Sequence, residues 1–227
     1  MIKFIELVKA RESISVERFH FHWRAVHTPL VLKTTLAGYI QNHRIDDGIW
    51  GFRSSGYQGV LEAWFLDLAQ QQQMVNSPEY RDHAALDEPN FIDLKNSPLC
   101  LADEHIIKGQ AARKPNEVRG FLLVRRRSDV SPEKFKDDLL GSVGAQIAKI
   151  IPAATQIIAT IPSNDPAAFK HGEHYDAYVA LSFPNLAAAD TVQDGANALR
   201  DTIAGIADVE HSASILSEQF IGRALPD

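Results

Sequence analysis

The sequence predicts an α+β fold in which two tandem ferredoxin-like units, each βαββαβ, pack sheet to sheet into an α/β barrel. Three observations carry that expectation. The chain is written twice; each copy runs strand, helix, strand, strand, helix, strand; and a four-stranded sheet with both helices on one face leaves its other face bare, so two copies can bury each other.

The repetition is ordered along the chain. LVKARESISVERF (Leu7 to Phe19) lies over LVRRRSDVSPEKF (Leu123 to Phe135), YQGVLEAWF (Tyr57 to Phe65) over YDAYVALSF (Tyr175 to Phe183), and DEHIIK (Asp103 to Lys108) over SEQFIG (Ser217 to Gly222). Between the copies, Lys108 to Glu117 is polar and basic with a proline, as a linker is. The expected halves are therefore residues 1–110, carrying the site, and 117–227, a degenerate second copy.

Each element has a local reason. KFIELVK is short and apolar enough for a strand. Ser15 caps a helix that carries Phe19, Trp23, Val26 and Leu30 at helical spacing, and the second copy starts more sharply with Ser131 as cap, Pro132 in the first turn and Glu133 after it. LAGYIQNH and GVLEAWF are rich in aromatic and branched residues and read as strands. A second helix follows in LAQQQQMVNSPEYRDHAAL and in LAAADTVQDGANALRDTIAG, and EHII and SEQFI close the two copies.

Composition narrows the function. With 227 residues, 45% of them apolar, the chain can build real cores. No apolar run approaches the roughly 20 residues needed to span a bilayer, and charges recur through MIKFIELVKARES, so neither anchor nor signal peptide is expected and the location is cytoplasmic. A lone Cys100 makes no internal disulfide and no zinc knuckle. A net charge of −6 argues against nucleic acid as partner, and Arg125, Arg126 and Arg127 read as a solvated strand end.

Alternation along the strands selects candidate site residues. In GVLEAWF, Leu61, Ala63 and Phe65 suit packing under helices, while Val60, Glu62 and Trp64 face a cavity between the sheets. In LAGYIQNH, Tyr39, Gln41 and His43 are placed inside, with Asn42 entering instead if the register shifts by one. The second copy replaces every reactive candidate: Trp23 by Leu139, His27 by Val143, Tyr39 by Thr155, His43 by Ala159, Glu62 by Ala180 and Trp64 by Ser182. The apolar partners survive, which favours a functional reading of the first copy.

The densest stretch is HFHWRAVHTPLV. His20, His22 and His27 lack the spacing that puts two imidazoles on adjacent helical turns, so no metal site is expected, and His20 and His22 read as bystanders. His171 and His174 read as a solvated loop. His27 precedes Thr28 and Pro29, where the helix must end or kink, and a helix terminus favours imidazolium. It reads as an acid or base, or as a hydrogen bond pinning the helix end. His43 is its expected complement, and Glu62 beside Trp64 has the makings of a carboxyl group with a raised pKa. Tyr39 and Glu62 would orient a substrate against Trp23 and Trp64, with Gln41, Asn42 and Trp50 also in contact. The loop RIDDGIWGFRSSGYQ, bearing Trp50, reads as a lid or as a long hairpin.

HFHWRAVHTPLVLK, YIQNH, GVLEAWF and DEPNFID, in that order, resemble the EthD family of the dimeric α/β barrel superfamily. Its pattern is met by Trp23, His27, Pro29, Leu30, Tyr39, Gln41, Asn42 and His43, then by Asp87, Glu88, Phe91 and Asp93. The likeness covers residues 1–108; most members carry one copy and dimerise, and a homodimer is open here too. The resemblance implies the barrel and points to small aromatic, polyketide-like or lactone compounds, with His27 and His43 at the family's reactive positions. The resulting expectation is a cofactor-independent lyase or isomerase that moves a proton on such a substrate. The alternatives are a haem-binding barrel enzyme with a histidine as axial ligand, and a non-catalytic accessory protein that binds a small molecule.

Overall fold

The computed structural model describes residues 1–110, 114, 117–163, 169–170 and 174–225. His171 and part of the expected linker lie outside them. The strands are β1 Ile2–Val8, β2 Gly38–Asp47, β3 Arg53–Ser54, β4 Gly59–Phe65, β5 Leu99–Lys108, β6 Val118–Val124, β7 Gln156–Pro162, β8 Phe169–Lys170, β9 Ala177–Phe183 and β10 Ala213–Arg223. Eight of them close an antiparallel barrel in the order β1-β4-β2-β10-β6-β9-β7-β5, with β5 returning to β1. The two-residue strands β3 and β8 attach to β10 and β5. The first half thus supplies the contiguous set β5-β1-β4-β2 and the second half β10-β6-β9-β7.

Helical segments cover the outside. In the first half they are α1 Val16–Phe21, α2 Thr28–Val31, α3 Leu68–Asn76 and α4 Ala85–Phe91; in the second, α5 Pro132–Asp138, α6 Gly144–Ile150, α7 Leu186–Asp190 and α8 Ala196–Ala204. The expected caps are present: Ser15 Oγ accepts from Arg18 N at 3.3 Å and Ser131 Oγ from Lys134 N at 3.2 Å. The helix does not end at Pro29. It widens into a π-helical segment, His22–His27, and resumes as α2 with Pro29 in its first turn, where a missing N–H costs nothing. Among the described residues no helix is long and apolar enough to cross a membrane.

The barrel interior is packed, which corrects the cavity expected there. Ile5, Val60, Phe121, Leu123, Tyr178 and Ile215 form one apolar cluster inside it, as side chains do when eight strands close a barrel. One end of the interior is ionic instead. Lys3 Nζ donates to Glu62 Oε1 at 2.6 Å, to Glu104 Oε1 at 2.7 Å and to Thr160 Oγ1 at 3.0 Å, while Arg119 pairs with Glu62 from the other side. Lys3, Glu62 and Arg119 are all buried.

Trp50 is no lid. It sits at φ 56° in a turn flanked by Gly48 and Gly51 and is 3% exposed. Its indole lies where a Cβ on Gly120 would be, with its ring 6.0 Å from that of Phe183. It joins Leu122, Val124 and Phe135 in the core under the second half's helices. The cleft between sheet and helices is therefore plugged in the second half.

Candidate active site in the cleft of the first half

Antiparallel register decides which residues meet. On the helix-facing side of the first half, the rows are Phe4, Ala63 and Tyr39; Glu6, Leu61 and Gln41; and Val8, Gly59 and His43. On the barrel side they are Lys3, Trp64 and Gly38; Ile5, Glu62 and Ile40; and Leu7, Val60 and Asn42. The expected assignment of GVLEAWF holds, and that of LAGYIQNH is reversed: Tyr39, Gln41 and His43 lie under the helices and Asn42 faces the barrel. The expected constellation is thereby split by the sheet. Asn42 Nδ2 donates to Glu62 Oε2 and Trp64 Nε1 to Glu104 Oε2, each at 3.0 Å, all inside the barrel. Glu62 sits between Lys3 and Arg119 rather than in the apolar setting expected of it.

The cavity opens on the other face of that sheet. It encloses about 240 Å³ between the first half's strands and its helices. Phe4, Leu61, Phe65 and Met74 supply apolar wall, and Glu6, Trp23, His27, Tyr39, Tyr80 and Glu88 supply its polar and aromatic lining. Trp23 reaches the sheet because position 59 is glycine: a Cβ there would come within 2.6 Å of the indole.

The π-helical segment assembles the charged part of the site. Five residues separate His22 from His27, a spacing that an α-helix would turn through about 500°. In the π segment both imidazoles meet one carboxylate from α4. Asp87 accepts from His22 Nε2 at 2.9 Å and from His27 Nδ1 at 3.0 Å. Burial raises the Asp87 pKa, but hydrogen bonds from His22, His27 and Asn90 outweigh it and hold the carboxyl below its usual value. Burial lowers His27, against the opposing pull of Asp87, so the imidazole is neutral rather than the imidazolium expected. Its single proton lies on Nδ1, toward Asp87, and Nε2 is left as a basic nitrogen at the cavity wall.

A second network fixes the tautomer of His43. The Trp23 carbonyl, which only accepts, lies 3.1 Å from Gln41 Nε2, so the amide nitrogen faces it and Oε1 faces His43 Nε2 at 2.9 Å. His43 Nε2 is then the donor, and Nδ1 accepts from His20 Nδ1 at 2.8 Å. Both ring nitrogens of His43 are engaged, and burial, followed by its neighbours His20 and Arg24, lowers its pKa to about 3. His20, read as a bystander, is thus its partner. Tyr39 Oη accepts from Trp23 Nε1 at 3.3 Å and from Gln41 Nε2 at 3.0 Å. With two bonds accepted, its own hydrogen is left for the cavity. Burial raises the Tyr39 pKa, so that hydrogen stays in place.

Glu6 was not anticipated, and Glu88 was named only as part of the family pattern, not as a site residue. Tyr80 Oη donates to Glu88 Oε1 at 2.9 Å, and burial, then the nearby Glu88, raises Glu6 to about 8. The signal for Glu6 is visible in KFIELVK: it is the one charge between Phe4 and Val8 on a helix-facing strand side, and Leu122 takes its place in the second copy. Cys100 is buried inside the barrel with its thiol pushed up to about 12, chiefly by burial. No group of three or more metal-ligating side chains converges among the described residues. A wider cleft of about 840 Å³ on the second half is polar, and its Arg126 pairs with Asp176 at 3.3 Å.

Comparison with known proteins locates the fold. The EthD domain model matches residues 11–95, and no curated protein matches the sequence. An anthrone oxidase-like protein superposes with a TM-score of 0.68 at 9% identity, over 100% of this chain and 94% of that one. A proposed monooxygenase from Fusobacterium nucleatum gives 0.58 at 9% identity, over 100% and 97%. A proposed chlorite dismutase gives 0.54 at 7% identity, over 96% and 95%. Identities this low speak for the fold, an antiparallel α+β barrel. The names nonetheless belong to oxidative and redox enzymes, and they overturn the expectation of a cofactor-independent lyase or isomerase. The stretch matched by the EthD domain model, residues 11–95, supplies His27, its partner Asp87 and the Tyr39 hydroxyl network of the cleft.

Proposed function

We propose that the chain is an oxidative enzyme acting with molecular oxygen on a small electron-rich aromatic compound bound in the first half's cleft. One observation carries this reading: His27 presents a basic Nε2 to an aromatic-walled cavity while Asp87 holds its Nδ1–H. Support comes from the names of the structural neighbours, an anthrone oxidase-like protein among them. In this reading the two halves are tandem ferredoxin-like units and the chemistry belongs to the first.

The steps follow from the residues. His27 Nε2 removes a proton from an acidic ring C–H or O–H, and the Tyr39 hydrogen stabilises the oxyanion that forms. The electron-rich anion reduces O2. For a methylene between two rings the balance is CH2 plus O2 giving C=O plus H2O. Apolar walls keep bulk water from the anion. His43 and Gln41 act by position, fixing the Tyr39 hydroxyl, and Glu62 and Trp64 lie behind the sheet.

A haem-binding reading draws on the same histidine, since Nδ1 anchored on a carboxylate also suits an axial ligand. The lining fits that group poorly. Glu6 and Glu88 face the cavity and, among the described residues, no Lys or Arg lines it, so nothing there meets the haem propionates.

Anthrone in an oxygen electrode tests both. The expected result is one O2 consumed per anthraquinone formed, with His27→Ala slower by about 10²- to 10⁴-fold and Asp87→Asn by about 10²-fold. No uptake above the spontaneous rate with anthrone or a hydroxylated anthrone removes the reading. A Soret band retained through purification replaces it with the haem reading.

A further inference from the structure

The helices that follow β4 and β9 start alike and rest on different ground. Asp67 caps α3 and Asn185 caps α7, each accepting from the backbone N–H three residues on. Beyond the caps, the repeat lays Gln71 over Ala189 and Met74 over Val192. Ala189 and Val192 are buried in the second half's core, at 0% and 3% exposure, in the same cluster as Trp50. Gln71 and Met74, with Val75, instead face the cavity of the cleft, and no side chain of α3 is buried. We infer that a bound ring completes the core under α3, so that Gln71, Met74 and Val75 close on it and set how large a ring system the cleft holds. The inference rests on the reading of the cleft as the substrate site and assigns the residues that select among substrates.

The attachment of α3 fits that role. Positions 71, 74 and 75 share one face of a helix. The helix satisfies its own start: Asp67 Oδ1 accepts from Gln70 N at 2.8 Å, and Gln70 Oε1 accepts from Leu66 N at 2.7 Å. Near its other end Asn76 Nδ2 donates to the Gln72 carbonyl at 2.8 Å. Among the described residues, no hydrogen bond or ion pair ties α3 to another element of the fold. Asp67 before it and Ser77 after it are extended, so the helix is held between two non-helical residues. A segment with few buried apolar contacts opens at low cost, and a methionine adapts its shape to what it meets. The sheet side has no such freedom, since Phe4, Leu61 and Phe65 sit in paired strands.

Hydrogen exchange of the intact chain, read by mass spectrometry with and without 2-naphthol, tests the inference without turnover. In the free chain the amides of α3 are expected to exchange at least about 100-fold faster than those of α8, whose Leu199 and Ile203 are buried. With 2-naphthol at its solubility limit, α3 slows by about tenfold or more while α8 is unchanged. Calorimetry reads the selection by size: Met74→Ala raises the affinity of three-ring 2-anthrol relative to two-ring 2-naphthol by about threefold or more. Gln71→Ala does the same if alanine at position 74 disturbs folding. Equal protection of α3 and α8 in the free chain, no slowing of α3 by 2-naphthol, or an unchanged affinity ratio in folded variants overturns the inference. Slowing of α3 without oxygen uptake from anthrone removes the oxidative reading alone, and uptake with α3 left unprotected removes the inference alone.

Discussion

His27 and His43 have the same side chain and opposite uses. Both are buried and neutral, but His27 keeps one nitrogen toward a cavity while His43 has both engaged by Gln41 and His20. The sequence paired them because both vanish from the second copy and both fall at the resembled family's reactive positions; it named Asp87 within the same pattern, but not its link to His27, which depends on a helix widening that periodicity does not reveal. The His20 and His43 pair has a consequence for stability. Their folded pKa values, about 4 and about 3, lie below the unfolded value near 6.5. A depressed folded value means that the unfolded chain takes up protons first, so stability is full above about pH 6.5 and declines as pH falls toward the folded values. The thermal midpoint should drop between about pH 6.5 and pH 4, and His20→Phe, which removes one of the titrating rings, should flatten the drop; a midpoint constant over that range excludes the effect.

At the scale of elements, the capped helix starts and the apolar side of β4 were legible because one residue type answers each question: a serine before a helix, or Leu61, Ala63 and Phe65 on one side of a strand. β2 was not. Its two sides, Tyr39, Gln41 and His43 against Gly38, Ile40 and Asn42, are equally mixed, and only pairing to β4 tells them apart. Glycine at position 59 marks the place where the π segment meets the sheet. Gly59→Ala would put a methyl group 2.5 Å from the Asn42 carbonyl and 2.6 Å from the Trp23 ring. The expected loss is about 1–3 kcal/mol by urea unfolding, with a shift in tryptophan emission as the indole is displaced. A variant as stable as the parent would show that the helix can lift freely off the sheet.

For the whole molecule, the internal repeat announced an enclosed barrel, and the barrel is there, but its interior is core and the usable space lies outside it. The misplacement has a physical cause: a strand with polar residues facing inward was read as lining a cavity, whereas Glu62 and Asn42 belong to an ion cluster inside the closed barrel. Glu62 holds Lys3 and Arg119 together across the halves. Glu62→Ala removes the carboxylate that buried Lys3 and Arg119 share, with Lys3 keeping Glu104 and Thr160, and is expected to cost about 3–5 kcal/mol in urea unfolding, with no direct effect on the cleft. A loss below about 1 kcal/mol would mean that water reaches the cluster.

Trp50 also sets a count. Two equivalent halves would present two equivalent clefts, and a titration would saturate at two ligands per polypeptide. With one cleft filled by an indole from the opposite half, the proposed binding is expected to saturate at one ligand per polypeptide, with no cooperativity between paired sites in the single chain.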